Sequence, residues 1–206
     1  MDRLLEYLST SRRARRLFAL AGTALVAVAV VMLAYPLYTN VVHNDLQAKL
    51  RRQLDSPQYR SLYAQGRIKE GDSLTRIIIP KLGVDVVVVQ GIGESALRAG
   101  AGHYPTTPLP CQDGDVAIAG HRTTYGKPFA NIDRLAPGDP VTLQTPLGSC
   151  VYRVEGPPFV VLANDWQVVA NTPGTHTLTL TSCHPKGSAS HRIVIKAQMA
   201  TSETVT

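Results

Sequence analysis

The sequence has little charge, few aromatics and almost no cysteine: of 206 residues, 17% are Asp, Glu, Lys or Arg, 6% are Phe, Trp or Tyr, and three are Cys. An aliphatic-rich chain of this composition is not a solvating, disordered polymer. The net charge of +6 does not point to nucleic acid, because residues 1–16 carry five Arg against Asp2 and Glu6, which accounts for half of it. No basic stripe interleaved with aromatics follows, so nucleic acid is not an expected partner. Internal repeats are absent. The six His and three Cys show no His-x-x-x-His or Cys-x-x-Cys spacing, so neither a metal nor another cofactor is expected. Asp113 and Asp115 flank Gly114 and read as a tight turn, not as a calcium loop.

The longest hydrophobic run is Leu17–Tyr38, twenty-two residues without a charge. A helix of about 20 apolar residues crosses the hydrocarbon core of a bilayer. The alternative, a cleaved signal peptide, typically has an apolar core of about 7 to 15 residues and a small-residue cleavage site, and none follows Tyr38. Arg12, Arg13, Arg15 and Arg16 precede the run, which favours a cytoplasmic N-terminus and an extracytoplasmic domain. The expected plan is a basic cytoplasmic tail (1–16), a transmembrane helix (17–38), a partly helical stalk (39–71), one folded domain (72–200) and a frayed tail (201–206). In the stalk, Leu46, Leu50 and Leu54 recur every four residues and line one helical face.

From Leu74 the texture changes to short β-branched runs punctuated by Gly and Pro. Candidate strands are 75–79, 84–90, 116–120, 141–145, 151–154, 159–162, 177–182 and 192–197. Eight short strands with few helical signals imply an all-β barrel or sandwich. Single helical turns are expected at 94–98 and 131–135.

The chemistry concentrates at strand ends. In Thr177-Leu178-Thr179-Leu180-Thr181-Ser182-Cys183, alternation puts Leu178 and Leu180 on one face and Thr181 and Cys183 on the other. A thiol at the mouth of a strand is accessible, and a neighbouring base or cation makes it a nucleophile. His121 ends the run Val116–Gly120, and Arg192 opens the final strand nine positions after Cys183. If the last two strands are antiparallel neighbours, Cys183 and Arg192 meet, and the guanidinium can stabilise an acyl oxyanion. Arg122 alternates to the opposite face and reads as structural or rim. The other histidines of the domain, His103 included, read as solvent-facing or satisfied.

The block Thr179-Leu180-Thr181-Ser182-Cys183 with Arg192, preceded by Ala119-Gly120-His121-Arg122-Thr123-Thr124-Tyr125-Gly126, resembles the sortases, membrane-anchored cysteine transpeptidases of Gram-positive bacteria. Ser182 stands where that family usually has Thr. With Gly102-His103-Tyr104-Pro105-Thr106-Thr107, the likeness is greatest to the class E sortases of actinobacteria. The resemblance covers about residues 72–198 and implies an eight-stranded closed β-barrel. It also implies cleavage of a C-terminal sorting motif of the Leu-Pro-x-Thr-Gly or Leu-Ala-x-Thr-Gly type between Thr and Gly. Transfer to a cell-wall precursor amine of the lipid II type would follow. By the same resemblance Cys183 is the nucleophile, His121 the general acid and Arg192 the oxyanion or positioning cation. Tyr104, Thr181 and Ser182 become candidates for contact with substrate.

Three pairings are open to Cys111, Cys150 and Cys183. Once Cys183 is assigned to chemistry, Cys111 and Cys150 are the expected disulfide, the alternative being two buried thiols. A cysteine protease, a pilin-polymerising sortase and a non-catalytic cell-wall-binding barrel are the competing readings.

Overall fold

The computed structural model describes residues 12–204, in two compact units that meet between Thr39 and Asn40. The first eleven residues of the basic tail and the last two of the chain lie outside the described residues. One helix, α1 (Arg12–Leu54), runs through both units and includes Pro36. In the first unit the apolar side chains of its long hydrophobic run are exposed, among them Leu25, Met32 and Leu33. With an 18-residue window of mean hydropathy 2.6, this helix is long and apolar enough to cross a membrane.

The second unit begins with the remainder of α1, followed by α2 (Pro57–Ala64). Ser56 caps α2 by accepting the Tyr59 N–H at 3.1 Å, and Pro57 supplies its first turn. The strands are β1 (Ser73–Ile79), β2 (Val84–Gln90), β3 (Ala101–His103), β4 (Gly114–Ala119), β5 (Pro140–Thr145), β6 (Gly148–Val154), β7 (Phe159–Leu162), β8 (His176–His184) and β9 (His191–Thr204). A short helix, α3 (Glu94–Ala99), connects β2 to β3.

The order β6-β5-β1-β2-β3-β4-β8-β9 closes through a β6–β9 ladder, giving a ring of eight strands. β7 pairs with the first residues of β9 beyond the end of β6. The expected strand number therefore holds with a different membership. β3, three residues with a central Gly, is too short to show a period, whereas β7, counted among the eight, lies outside the closed ring. Residues 201–204, expected to fray, continue β9 and pair with β6.

Period-2 alternation fills the ring. Ile77 and Ile79, Val116 and Ile118, Leu178 and Leu180, Ile193 and Ile195 all point inward and are buried with Phe129 and Tyr152. The opposite face of β1 and β2 carries Leu74, Val87 and Val89, which take Leu46, Leu50, Leu54, Tyr59 and Tyr63 from α1 and α2. Gln47 adds three hydrogen bonds: its amide donates to the carbonyls of Val87 (3.0 Å) and Ala99 (2.8 Å) and accepts the Val87 N–H (2.7 Å). The segment read as a stalk is in fact packed into the folded domain.

Cys111 and Cys150 are joined by a disulfide that ties the segment before β4 to β6, across a sequence separation of 39. A bridge of that span lowers the entropy of the unfolded chain by an amount worth about 4 kcal/mol. Unfolding in denaturant should lose about that much stability in a Cys111→Ala, Cys150→Ala variant. An unchanged midpoint would show that other contacts already hold the segment.

Candidate active site

β8 sits between β4 and β9, and its end carries the site. The β8–β9 register places Cys183 directly opposite Arg192, so their side chains leave the sheet as cross-strand neighbours, about 5 Å apart at Cβ. On the other side β4 runs parallel to β8 with Ala119 beside Thr181, and the Gly120 N–H donates to the Thr181 carbonyl at 3.1 Å. His121 and Cys183 each lie two residues beyond that pair, so both emerge at one level of the barrel.

Gly120 is required where the chain leaves β4, because a Cβ there would lie 2.5 Å from the buried Phe129 ring. Ser182 faces inward and donates its hydroxyl to the Gly120 carbonyl at 2.6 Å, fastening the two strand ends together. Its hydroxyl thus serves the scaffold that carries Cys183 and His121.

Cys183, His121 and Arg192 open into one cleft of about 160 Å³, with Tyr104, Thr181 and Trp166 among its walls. Cys183, the free cysteine of the chain, is partly exposed there. Burial disfavours the imidazolium form of His121 and lowers its pKa from the ordinary histidine value. Burial thus favours the neutral form of the ring, which can act as a base. Arg192 is held by its own loop: Nη1 donates to the carbonyls of Ala189 and His191, each at 3.0 Å.

Tyr104 and Thr181 line the same cleft, and their hydroxyls hydrogen-bond each other at 3.0 Å. Arg122 points away from the cleft, buried against Asp133 (2.5 Å), and donates to His184 Nδ1 at 3.3 Å. Adjacent residues on a strand face opposite sides, so His184 is likewise turned from Cys183. Among the described residues, no group of three His, Cys, Asp or Glu is placed to hold a metal ion.

The family follows from this geometry and from comparison with known proteins. The model of the sortase domain matches residues 77–200. This chain belongs to the sortase family. Sortase SrtE1 of Streptomyces coelicolor is 27% identical over 196 residues, covering 86% of this chain and 56% of the relative. The chain thus spans little more than half the length of that curated relative. Among solved structures, sortase E of Streptomyces avermitilis is 32% identical with a TM-score of 0.61, over 66% of this chain and 93% of that one. A sortase D5 transpeptidase of Clostridium perfringens has a TM-score of 0.68 at 26% identity, over 78% of this chain and 99% of that one.

Two features of this sortase site escape a reading by residue. The cleft wall includes Trp166, Val168 and Val169, a single 3-10 turn between β7 and β8, whose signal was only a lone Trp in a polar loop. That turn is tied to the barrel by Lys196, which donates to the Val168 carbonyl (2.8 Å), to Asp115 (2.8 Å) and to Thr179 (2.5 Å). Asp115, read as a turn residue, is instead the second residue of β4. It is fully buried, accepts from the Thr177 and Thr179 hydroxyls, and compensates the ammonium.

The strand that brings Tyr104 to the cleft is fixed by the buried His103. Its Nε2 lies 2.8 Å from the Pro108 carbonyl and 3.0 Å from Thr107 Oγ1, and its Nδ1 lies 2.8 Å from Gln90 Oε1. The Pro108 carbonyl and Gln90 Oε1 are both acceptors, so each ring nitrogen faces an oxygen, and a neutral ring donates to one of the two. Burial lowers the His103 pKa from 6.5 to about 4. The depressed value means that the folded state resists protonation. This contribution is complete above pH 6.5 and is lost as pH falls toward about 4, amounting to about 3 kcal/mol. Chemical denaturation at a series of pH values should show that decline in the wild type and a shallower one in His103→Gln. Equal slopes would mean that His103 takes up its proton without opposing the fold.

Proposed function

We propose that this chain is a membrane-anchored cysteine transpeptidase. It cleaves a sorting motif of the Leu-Pro-x-Thr-Gly or Leu-Ala-x-Thr-Gly type between Thr and Gly, and passes the acyl group to a cell-wall precursor amine of the lipid II type. The observation that carries this reading is the convergence of Cys183, His121 and Arg192 on one cleft from three separate strand ends. The likeness to the Streptomyces class E sortases supports the same activity.

In this reading the neutral His121 takes the Cys183 proton as sulfur attacks the threonyl carbonyl. The Arg192 guanidinium faces the oxyanion of the tetrahedral intermediate. The imidazolium formed at His121 then protonates the departing glycyl nitrogen, so the proton it delivers is the one it removed from sulfur. A thioester to Cys183 remains, and an incoming amine resolves it by attacking its carbonyl and giving a proton to His121, which returns that proton to the departing sulfur. Tyr104 and Thr181 shape the wall along which the peptide lies, and Ser182 acts through the strand ends it joins. Residues 17–38 anchor the enzyme with residues 1–16 on the cytoplasmic side and the barrel from residue 72 outside, where the Cys111–Cys150 bridge is maintained.

The test uses the full-length protein in detergent micelles, fluorogenic peptides carrying each motif, and a primary amine. Mass spectrometry should find an acyl adduct on Cys183 that the amine discharges as a transpeptidation product. Cys183→Ala should lose the adduct and about 10³-fold or more in turnover. Arg192→Met should lose about 10² to 10³-fold. Hydrolysis without an amine product would make the enzyme a protease, and an adduct that survives Cys183→Ala would remove the nucleophile assignment.

A further inference from the structure

His121 is the first residue of a loop whose backbone is unusual. Tyr125, Gly126 and Lys127 have φ values of 48°, 70° and 39°, three left-handed residues in succession. Only glycine adopts that region without penalty, so Tyr125 and Lys127 are held there by their surroundings. Such turns persist where packing over-determines them, and they concentrate at functional sites.

The packing comes from α1. The buried His43 ring lies against Gly126 so closely that a Cβ at Gly126 would sit 2.3 Å from His43 Nε2 and 2.4 Å from its Cδ2. α1 is itself fixed at this level by Gln47, which binds β2 and, through the Ala99 carbonyl, the end of α3. α3 carries Arg98, paired with Glu94, and the Arg98 guanidinium lies 5.6 Å from the centre of the Tyr125 ring. The Tyr125 ring in turn lies 5.8 Å from the His121 imidazole, at an interplanar angle of 37°. Tyr125 is thus set by α1 through Gly126 on one side and by Arg98 on the other, with His121 against its ring.

We propose that Tyr125 is a positioning residue for His121, and that α1, through His43, holds the left-handed turn that delivers it. The proposal rests on the reading of His121 as the acid and base of the reaction. His121 must address two atoms in sequence, sulfur and the leaving nitrogen, and a ring free to rotate would address neither well. Tyr125 is not among the residues that wall the cleft, so its loss affects turnover and not substrate binding. The α1 segment after Asn40 is in this sense a working part of the enzyme as well as a tether.

The experiment measures kcat and KM for full-length variants in micelles, beside thermal unfolding midpoints and the NMR signals of labelled histidine. Tyr125→Ala should lower kcat by about ten- to a hundredfold with KM within about twofold of wild type, and Tyr125→Phe should restore it. Gly126→Ala should lower kcat as strongly. His43→Ala should lower kcat in the same sense, again with KM within about twofold of wild type, because the turn loses the ring that packs on it. Wild-type kcat in Tyr125→Ala or in His43→Ala would overturn the proposal.

In the wild type, His121 ring protons should show contacts to the Tyr125 ring, and their absence overturns the proposal even if Tyr125→Ala fails to fold. Wild-type protein without turnover on any sorting peptide, but with those ring contacts, would refute the transpeptidase reading and leave the positioning geometry standing.

Discussion

The site depends on the register of one strand. β8 is paired in parallel with β4 and antiparallel with β9, and the level at which those two ladders end brings imidazole and guanidinium to the sulfur. What fixes that register is the interior. Leu178 and Leu180 are fully buried, and a slip of one residue would turn them outward and Cys183 inward. The hydrophobic pattern of the barrel is therefore also the device that aims the reactive group. Substitutions deep in the ring, far from Cys183, act on its direction before they act on its chemistry.

Loops, which have no ladder to hold them, are secured by buried polar contacts. Lys196 and Asp115 tie the Trp166–Val169 turn to β4 and β9; His103 holds the approach to Tyr104; Arg122 and Asp133 brace the segment behind His121. Each places a charged or polar group inside the protein, which costs desolvation that only a complete set of partners offsets. These contacts are few and specific, and each ends on a segment that forms or supports the cleft.

The parts legible in the sequence are β-branched and aromatic runs bounded by Gly and Pro, and the strand whose residues alternate around Cys183. Val84–Gln90 and Phe159–Leu162 match the observed strands, and the alternation around Cys183 places Thr181 and Cys183 on the cleft side. β3 escaped because three residues carry no period, and its place in the ring depends on pairing with β2 and β4. Asp115 looked like a turn because its neighbours are turn formers, and its burial is set by Lys196, eighty-one residues away. The leucines of α1 announced a helical face correctly, but nothing local to them says that β1 and β2 leave an apolar surface to receive it. Tyr125 lay in plain view beside His121, and its importance depends on a left-handed turn that residue identity does not encode.

The bridge between Cys111 and Cys150 leaves Cys183 as the single reduced sulfhydryl in the chain. A sulfenic acid formed at that atom is ordinarily rescued when a second cysteine nearby condenses with it. Here both remaining sulfurs are already spent on each other. Recovery from an oxidant, in the oxidising space where the barrel is expected to work, has to be supplied in trans by some other reductant.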